Sequence, residues 1–260
     1  MAKNYALITG ASAGLGAEFA RQLADRGHNL VLVARREDRL RELADDLATQ
    51  HKVEVEIIAA DLSEPSAPGV IAKQCRERGL DIDWLVNNAG VAGPDLLLDR
   101  EWSEQASFFQ LMMTSVAALC HLMLPAMLER GYGRVINVAS VAGRIPRSGG
   151  CNYGPSKAYL VSLSEELNLT TAARGVHVCA LCPGFTHTDF HETAGLSAMK
   201  AGMPRWLWYT ADVVVKDGIQ GVERGKPVMI SGRLYRYLDP LFQSVLTRRF
   251  FRIKARPNAQ

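Results

Sequence analysis

Short apolar runs alternate with amphipathic stretches along most of the chain. Tyr5–Thr9 is an apolar run that reads as a buried strand. A glycine-punctuated turn, Gly10 to Gly16, leads into a helix over Ala17–Arg26 that stops at Gly27, the residue type that favours a helix C-terminus. Asn29–Ala34 (NLVLVA) is a second strand. Arg36–Gln50 is a charged helix with Leu40, Leu43 and Leu47 on one face. Val53–Ala59 and Ile82–Val86 are strands, separated by a helix over Ser66–Arg78 whose start is limited by Pro68. Glu101–Glu129 reads as one long methionine-rich helix, Arg134–Val138 as a strand, Asn152–Ala173 as a helix and Val176–Leu181 as a strand. A long apolar stretch runs to Asp212, helical residues continue to Glu223, and Pro227–Ile230 closes the series as a short strand.

Strands that alternate with helices imply βαβ units and a parallel sheet. Strands buried on both faces should be continuously apolar, and VLV, WLV and VCAL are. Right-handed crossovers place helices on both faces. The expected fold is therefore a single-domain α/β Rossmann-type doubly wound sheet of about seven strands. No linker, repeat or composition break precedes residue 230, so the domain is expected to span 1–232, with 233–260 as a basic amphipathic extension.

Composition narrows the class. At 260 residues, 48% hydrophobic and 22% charged, the chain is neither disordered nor fibrous. Five cysteines at irregular spacing form no disulfide framework. With no run of about 18 apolar residues and no visible secretory signal, a soluble protein of a reducing, cytoplasmic compartment is expected. The net charge of +3 is too small to imply nucleic acid. Its distribution is uneven: from Arg224 to the end the chain carries +8, and the remainder carries −5.

The turn Thr9-Gly10-Ala11-Ser12-Ala13-Gly14-Leu15-Gly16 follows a strand and opens a helix. Small residues there let backbone approach a pyrophosphate, whose charge the helix N-terminus favours. The spacing is Gly-x3-Gly-x-Gly, and with it the chain resembles the short-chain dehydrogenase/reductase family. Further motifs carry the same resemblance in the same order: Asn87-Asn88-Ala89-Gly90, Ser140 just past the fifth strand, Tyr153-Gly-Pro-Ser-Lys157, and Pro183-Gly184 with Thr186 and Thr188 beyond. Together they span about residues 5–190. The resemblance implies that Gly10, Ser12, Gly14, Leu15 and Gly16 hold the dinucleotide. It also implies that Asp61 and Leu62 flank the adenine, and that Asn88, Ala89 and Gly90 line the adenosine-ribose side. Pro183, Gly184 and Thr186 would also hold the cofactor, with Thr188 meeting its nicotinamide amide.

Tyr153 and Lys157, at i and i+4, share one helix face. A free tyrosine has a pKa near 10, and carbonyl reduction needs a donor poised closer to neutrality. A neighbouring ammonium favours phenolate and lowers that value. Ser140 can donate to the substrate oxygen. The resemblance assigns Tyr153 the role of general acid/base, Lys157 that of ribose ligand and tuner of Tyr153, and Ser140 that of carbonyl orienter. One departure stands out: Met112 occupies the position where the family usually has an active-site Asn that positions a water leading from the lysine to solvent. A methionine side chain cannot hold that water, though a main-chain carbonyl there could, and Thr114 or Ser115 are the nearby hydroxyls that could substitute.

The end of the second strand decides the cofactor. An acid there would bind the ribose 2′-OH and favour NAD. Here Arg35 and Arg36 stand at that point, and arginine binds a 2′-phosphate through forked donors. NADP(H) is the expected cofactor, with NAD(H) the lesser alternative; Glu37 and Asp38 keep open the plainer reading of a solvated helix start.

Phe185–Tyr209, which in the family forms the substrate lid (about 185–211), contains Phe190, Leu196, Met199, Met203, Trp206, Leu207, Trp208 and Tyr209. A lid this apolar suggests a hydrophobic carbonyl or alcohol substrate, although such a lid could also pack on its own domain. In the tail, the apolar positions 238, 241, 242, 245 and 246 follow helical spacing among arginines. That segment could make peripheral contact with an anionic membrane, dock a partner subunit, attract an acidic substrate such as an acyl-CoA, or pack on its own domain. Cys179-x2-Cys182 reads as core thiols, since residues three apart on a strand face opposite sides. His187 and His191 lack a third ligand, so no metal is expected. The family commonly pairs through its two long helices, which implies a homodimer or homotetramer. The sequence is thus read as an NADP(H)-dependent oxidoreductase that moves hydride between nicotinamide and a lipophilic ketone or secondary alcohol. A non-catalytic NADP-binding sensor or scaffold is the alternative.

Overall fold

The computed structural model describes residues 4–99, 101–146, 152–186, 208–247 and 250. Strands β1 (Asn4–Thr9), β2 (Asn29–Ala34), β3 (Val55–Ala59), β4 (Asp81–Asn87), β5 (Gly133–Val138), β6 (Val176–Cys182) and β9 (Val228–Ile230) form a seven-stranded sheet in the order β3-β2-β1-β4-β5-β6-β9. All of its pairings are parallel. The order reverses between β1 and β4, which opens a crevice beyond their C-terminal ends where ligands bind in such sheets.

The continuously apolar strands have a simple physical origin. Successive side chains point to opposite faces, and both faces are covered. On β1, Tyr5 and Leu7 enter one core while Ala6 and Ile8 enter the other. Helices α3 (Ala67–Glu77), α5 (Ser115–Arg130) and α6 (Tyr153–Thr171) close the first core. Helices α1 (Gly14–Asp25), α2 (Glu37–His51) and α7 (Ala211–Glu223) close the second. Cys179 and Cys182 fall in different cores, as alternation requires, and both are free thiols that burial pushes up to about 12. They are therefore packing residues rather than a redox pair.

The long methionine-rich helix differs from its expected form. It comprises α4 (Trp102–Phe109) and α5, joined by a π-helical turn over Gln110–Thr114. The whole of Trp102–Arg130 is long and apolar enough to cross a membrane by length and composition. Here Val116, Leu119, Cys120, Met123 and Met127 bury it against the sheet. A buried polar seam ties the same layer together. The Asn87 side-chain amide donates to Asn137 Oδ1 at 2.9 Å, and that of Asn137 donates to Ser164 Oγ on α6 at 2.9 Å.

Two further elements bear on the site, the first of them not anticipated from the sequence. A two-residue parallel pair, β7 (Phe185–Thr186) with β8 (Trp208–Tyr209), joins the two ends of the lid segment. Most of the lid itself, including Thr188, Phe190, His187, His191 and Trp206, lies outside the described residues. The second feature is helix α8 (Arg233–Gln243), at the start of the basic tail. It buries Tyr235 in the first core, while Tyr237, Val245, Leu246 and Phe250 are exposed. Tail residues 248, 249 and 251–260 lie outside the described residues.

Candidate active site

Adjacent β1 and β4 bring the glycine turn and Asn88-Ala89-Gly90 together. The Thr9 hydroxyl accepts the backbone N–H groups of Asn88 (2.9 Å) and Ala89 (3.1 Å). The Asn88 amide in turn donates to the carbonyls of Thr9 (3.0 Å) and Gly10 (3.3 Å). Gly16 sits so close behind the turn that a Cβ there would lie 2.2 Å from the Gly10 carbonyl oxygen. Ala13 caps α1 without a side-chain hydrogen bond, so the first amides of α1 keep their donors for a phosphate. The turn is thus a cradle that fits a pyrophosphate. Gly16→Ala should force the turn open, weaken dinucleotide binding at least about tenfold and lower the melting temperature. Fluorescence titration and a thermal melt check both effects.

At the end of β2, Arg36 Nη2 donates to Ser12 Oγ at 2.9 Å, which ties this arginine to the glycine turn. Arg35 reaches the other way, with Nη1 3.6 Å from Asp61 Oδ2. Burial raises the Asp61 pKa, but hydrogen bonds from Ser63 and the Arg35 charge outweigh it, and the carboxyl sits below its usual range. Two cations and a serine hydroxyl therefore flank one end of the crevice.

The other end is built by β5, β6 and α6. Ser140 follows β5, and its Oγ accepts the Ala142 N–H at 3.1 Å, which leaves its own hydrogen to donate. The Val141 N–H donates to Pro183 O at 3.0 Å, so the Ser140 loop and the Pro183-Gly184 loop are bound together. Tyr153 opens α6, and Lys157 lies one turn on, its Nζ 5.7 Å from the Tyr153 ring centre. The Lys157 ammonium is buried and donates to Val138 O at 2.8 Å. Burial pulls its pKa down to about 8. The N-terminus of α6 is fixed by Asn152, whose side-chain amide donates to buried Gln105 of α4.

A single cavity of about 920 Å³ joins the two ends. Its walls include Gly10, Ser12, Gly14, Leu15, Arg35, Arg36, Asp61 and Leu62 at one end, and Ser140, Tyr153, Lys157, Pro183, Gly184 and Thr186 at the other. Asn88, Ala89 and Gly90 lie along it. Gly16 supports the turn from behind, and Thr188 is outside the described residues.

Met112 also lines the cavity. Its sulfur accepts the Val91 N–H at 3.4 Å, and the Gly90 face that it packs against is also shared by Lys157 Nζ. Neither of the two hydroxyls named as substitutes reaches the site. Thr114 is exposed, and Ser115 Oγ donates to Leu111 O of its own helix at 2.7 Å. Sequence reasoning missed Ile145 and Tyr235, which join Phe185 of the lid segment in the cavity wall. Tyr235 lies far along the chain in α8, and no local motif marks it. No group of three or more metal-binding side chains occurs among the described residues.

A family model described as short chain dehydrogenase matches residues 4–197, the stretch that carries every motif of this cavity. The chain belongs to the short chain dehydrogenase family. Among its relatives, sulfoacetaldehyde reductase 2 of Chromohalobacter salexigens is 33% identical over 186 residues, covering 71% of this chain and 73% of the relative. The 3-oxoacyl-[acyl-carrier-protein] reductase of Escherichia coli is 32% identical over 187 residues, covering 71% and 74%. Two solved structures are similar over nearly the whole chain length. One, a short-chain dehydrogenase from Sphingobium yanoikuyae in complex with NADPH, has a TM-score of 0.81, 32% identity and 99% coverage of both chains. The other is the bulky-bulky ketone specific alcohol dehydrogenase of Comamonas testosteroni, with a TM-score of 0.77, 28% identity and coverage of 100% and 98%. Membership makes this chain an oxidoreductase that uses a nicotinamide cofactor and a small-molecule substrate.

Proposed function

We propose that this short chain dehydrogenase is an NADP(H)-dependent carbonyl reductase or alcohol dehydrogenase acting on a lipophilic ketone or secondary alcohol. The observation that carries the reading is one cavity with Ser140, Tyr153 and Lys157 at one end and Arg35 and Arg36 at the other. The nicotinamide supplies the hydride. Tyr153 gives its phenolic proton to the carbonyl oxygen as negative charge develops there. Ser140 donates a hydrogen bond to the same oxygen and fixes its place. Lys157 keeps a positive charge beneath the Tyr153 ring and favours its phenolate once the proton has left. In the oxidative direction the same groups run in reverse. The apolar Ile145, Met112 and Phe185 in the wall support a hydrophobic substrate.

Arg35 and Arg36 are expected to select the 2′-phosphate. Titration by fluorescence should show NADPH bound more tightly than NADH. Replacing both arginines by alanine should cost NADPH about 10- to 100-fold in affinity and leave NADH within about twofold. Tighter NADH binding to the unaltered protein would overturn the cofactor assignment. The Met112 departure favours a second reading, a non-catalytic nucleotide-binding protein. Steady NADPH oxidation with any ketone rules that out.

A further inference from the structure

Helix α8 lies beyond the stretch matched by the family model, yet it reaches the cavity. We propose that Tyr235 of α8 sets the size of the substituent admitted beside the reacting carbonyl, held in place by a clamp between Arg144 and Asp239. The inference rests on the carbonyl-reductase reading above.

Tyr235 is 8% exposed and lines the cavity. Its ring packs against Gly184, where an added Cβ would meet Cε2 at 2.2 Å, so glycine is what lets the ring enter. The Tyr235 hydroxyl is hydrogen-bonded by the Phe185 backbone, and the Tyr209 ring stands 6.3 Å away, centre to centre. The ring is therefore braced on two sides. It is also at the reacting end, because the Gly184 loop is bonded to the Ser140 loop through Val141 and Pro183. The adenine end, marked by Arg35 and Asp61, is the far end of the cavity.

The clamp explains why this wall is fixed. Arg144 follows Ser140 by one short turn and directly precedes Ile145, itself a wall residue. Its guanidinium forks onto Asp239, with Nη2 to Oδ2 at 2.6 Å and Nε to Oδ1 beside it. Both side chains are largely buried, at 15% and 14% exposure. The Gln243 amide adds a bond to Arg144 O at 2.8 Å. A bidentate pair of this kind fixes orientation as well as distance. Shape selection follows when a bulky side chain cannot yield, since its replacement by a smaller one changes which ligand fits.

The test uses the full-length protein loaded with NADPH and two alcohols, diphenylmethanol and 1-phenylethanol, whose binding is followed through nicotinamide fluorescence. Tyr235→Ala should shift the affinity ratio towards diphenylmethanol by about tenfold or more. Asp239→Asn, which keeps the side-chain shape but breaks the ion pair, should shift it in the same direction. Tyr235→Phe should leave the ratio unchanged, because the ring rather than the hydroxyl fills the space. If Tyr235→Ala fails to fold, Asp239→Asn carries the test. Ratios within about twofold of the unaltered protein in every folded variant would overturn the inference, as would failure of either alcohol to bind any form. Alcohol binding without reduction of any ketone would instead overturn the carbonyl-reductase reading and leave the wall assignment standing.

Discussion

Tyr153→Phe is expected to lower the turnover number for ketone reduction by about 10³-fold or more, with NADPH affinity within about twofold of the unaltered protein. General acid catalysis contributes about 10² to 10⁴ where a positioned group supplies the proton. Phenylalanine keeps the ring and hence the cavity wall, so the change removes the hydroxyl that supplies the proton. Lys157 retains its bond to Val138 O, and the glycine cradle is distant from the change. The split between kcat and cofactor affinity is the readout. Steady NADPH oxidation at an unchanged rate would remove Tyr153 from the mechanism, and a parallel collapse of NADPH binding would make it a structural residue.

The parallel sheet was legible because its strands are apolar throughout, and that pattern has one physical origin: both faces are covered. β6 shows it clearly, with Val178 and Ala180 entering one core and Cys179 and Leu181 the other. The glycine turn, Asn88 and Tyr153 were legible for a different reason. Each needs a particular residue type at a particular chain spacing, because neighbouring parallel strands end at the same edge. Helix ends were less sharp, and Gln110–Thr114 shows why. The π-helical turn there changes no hydrophobic pattern, so a continuous helix and an interrupted one read alike. Tyr235 was out of reach altogether. Its place in the cavity depends on a long-range ion pair between Arg144 and Asp239, and nothing in the local sequence of α8 couples it to Ser140. The charged tail drew attention to its arginines, whereas its one acid, Asp239, is the residue that fastens the helix to the site.

Lys157→Met should raise stability while it removes activity. The ammonium is buried, with one carbonyl, that of Val138, as its hydrogen-bond acceptor, and burial brings its pKa from the ordinary 10.5 to about 8. Between those two values Lys157 holds more protons in the unfolded chain than in the folded one, so its own contribution to stability rises with pH across this window. Below about 8 the cost of the buried charge is fully present. A methionine of similar length removes that cost, and a gain of about 1–3 kcal/mol is expected near neutral pH. Denaturant unfolding at several pH values checks it: buried thiols contribute equally to both proteins, so the variant's advantage in stability should shrink between pH 8 and 10.5. Turnover should fall by at least about 10²-fold, since the Tyr153 phenolate loses the cation that favours it. The same titration shapes the rate of the unaltered enzyme. In the free protein Lys157 sheds its proton with a midpoint near 8, so kcat/KM for ketone reduction should decline above that pH. A variant less stable than the unaltered protein at neutral pH would mean that the Val138 bond is worth more than the burial of the charge costs. The lysine would then hold the end of β5 in place as well as tuning Tyr153.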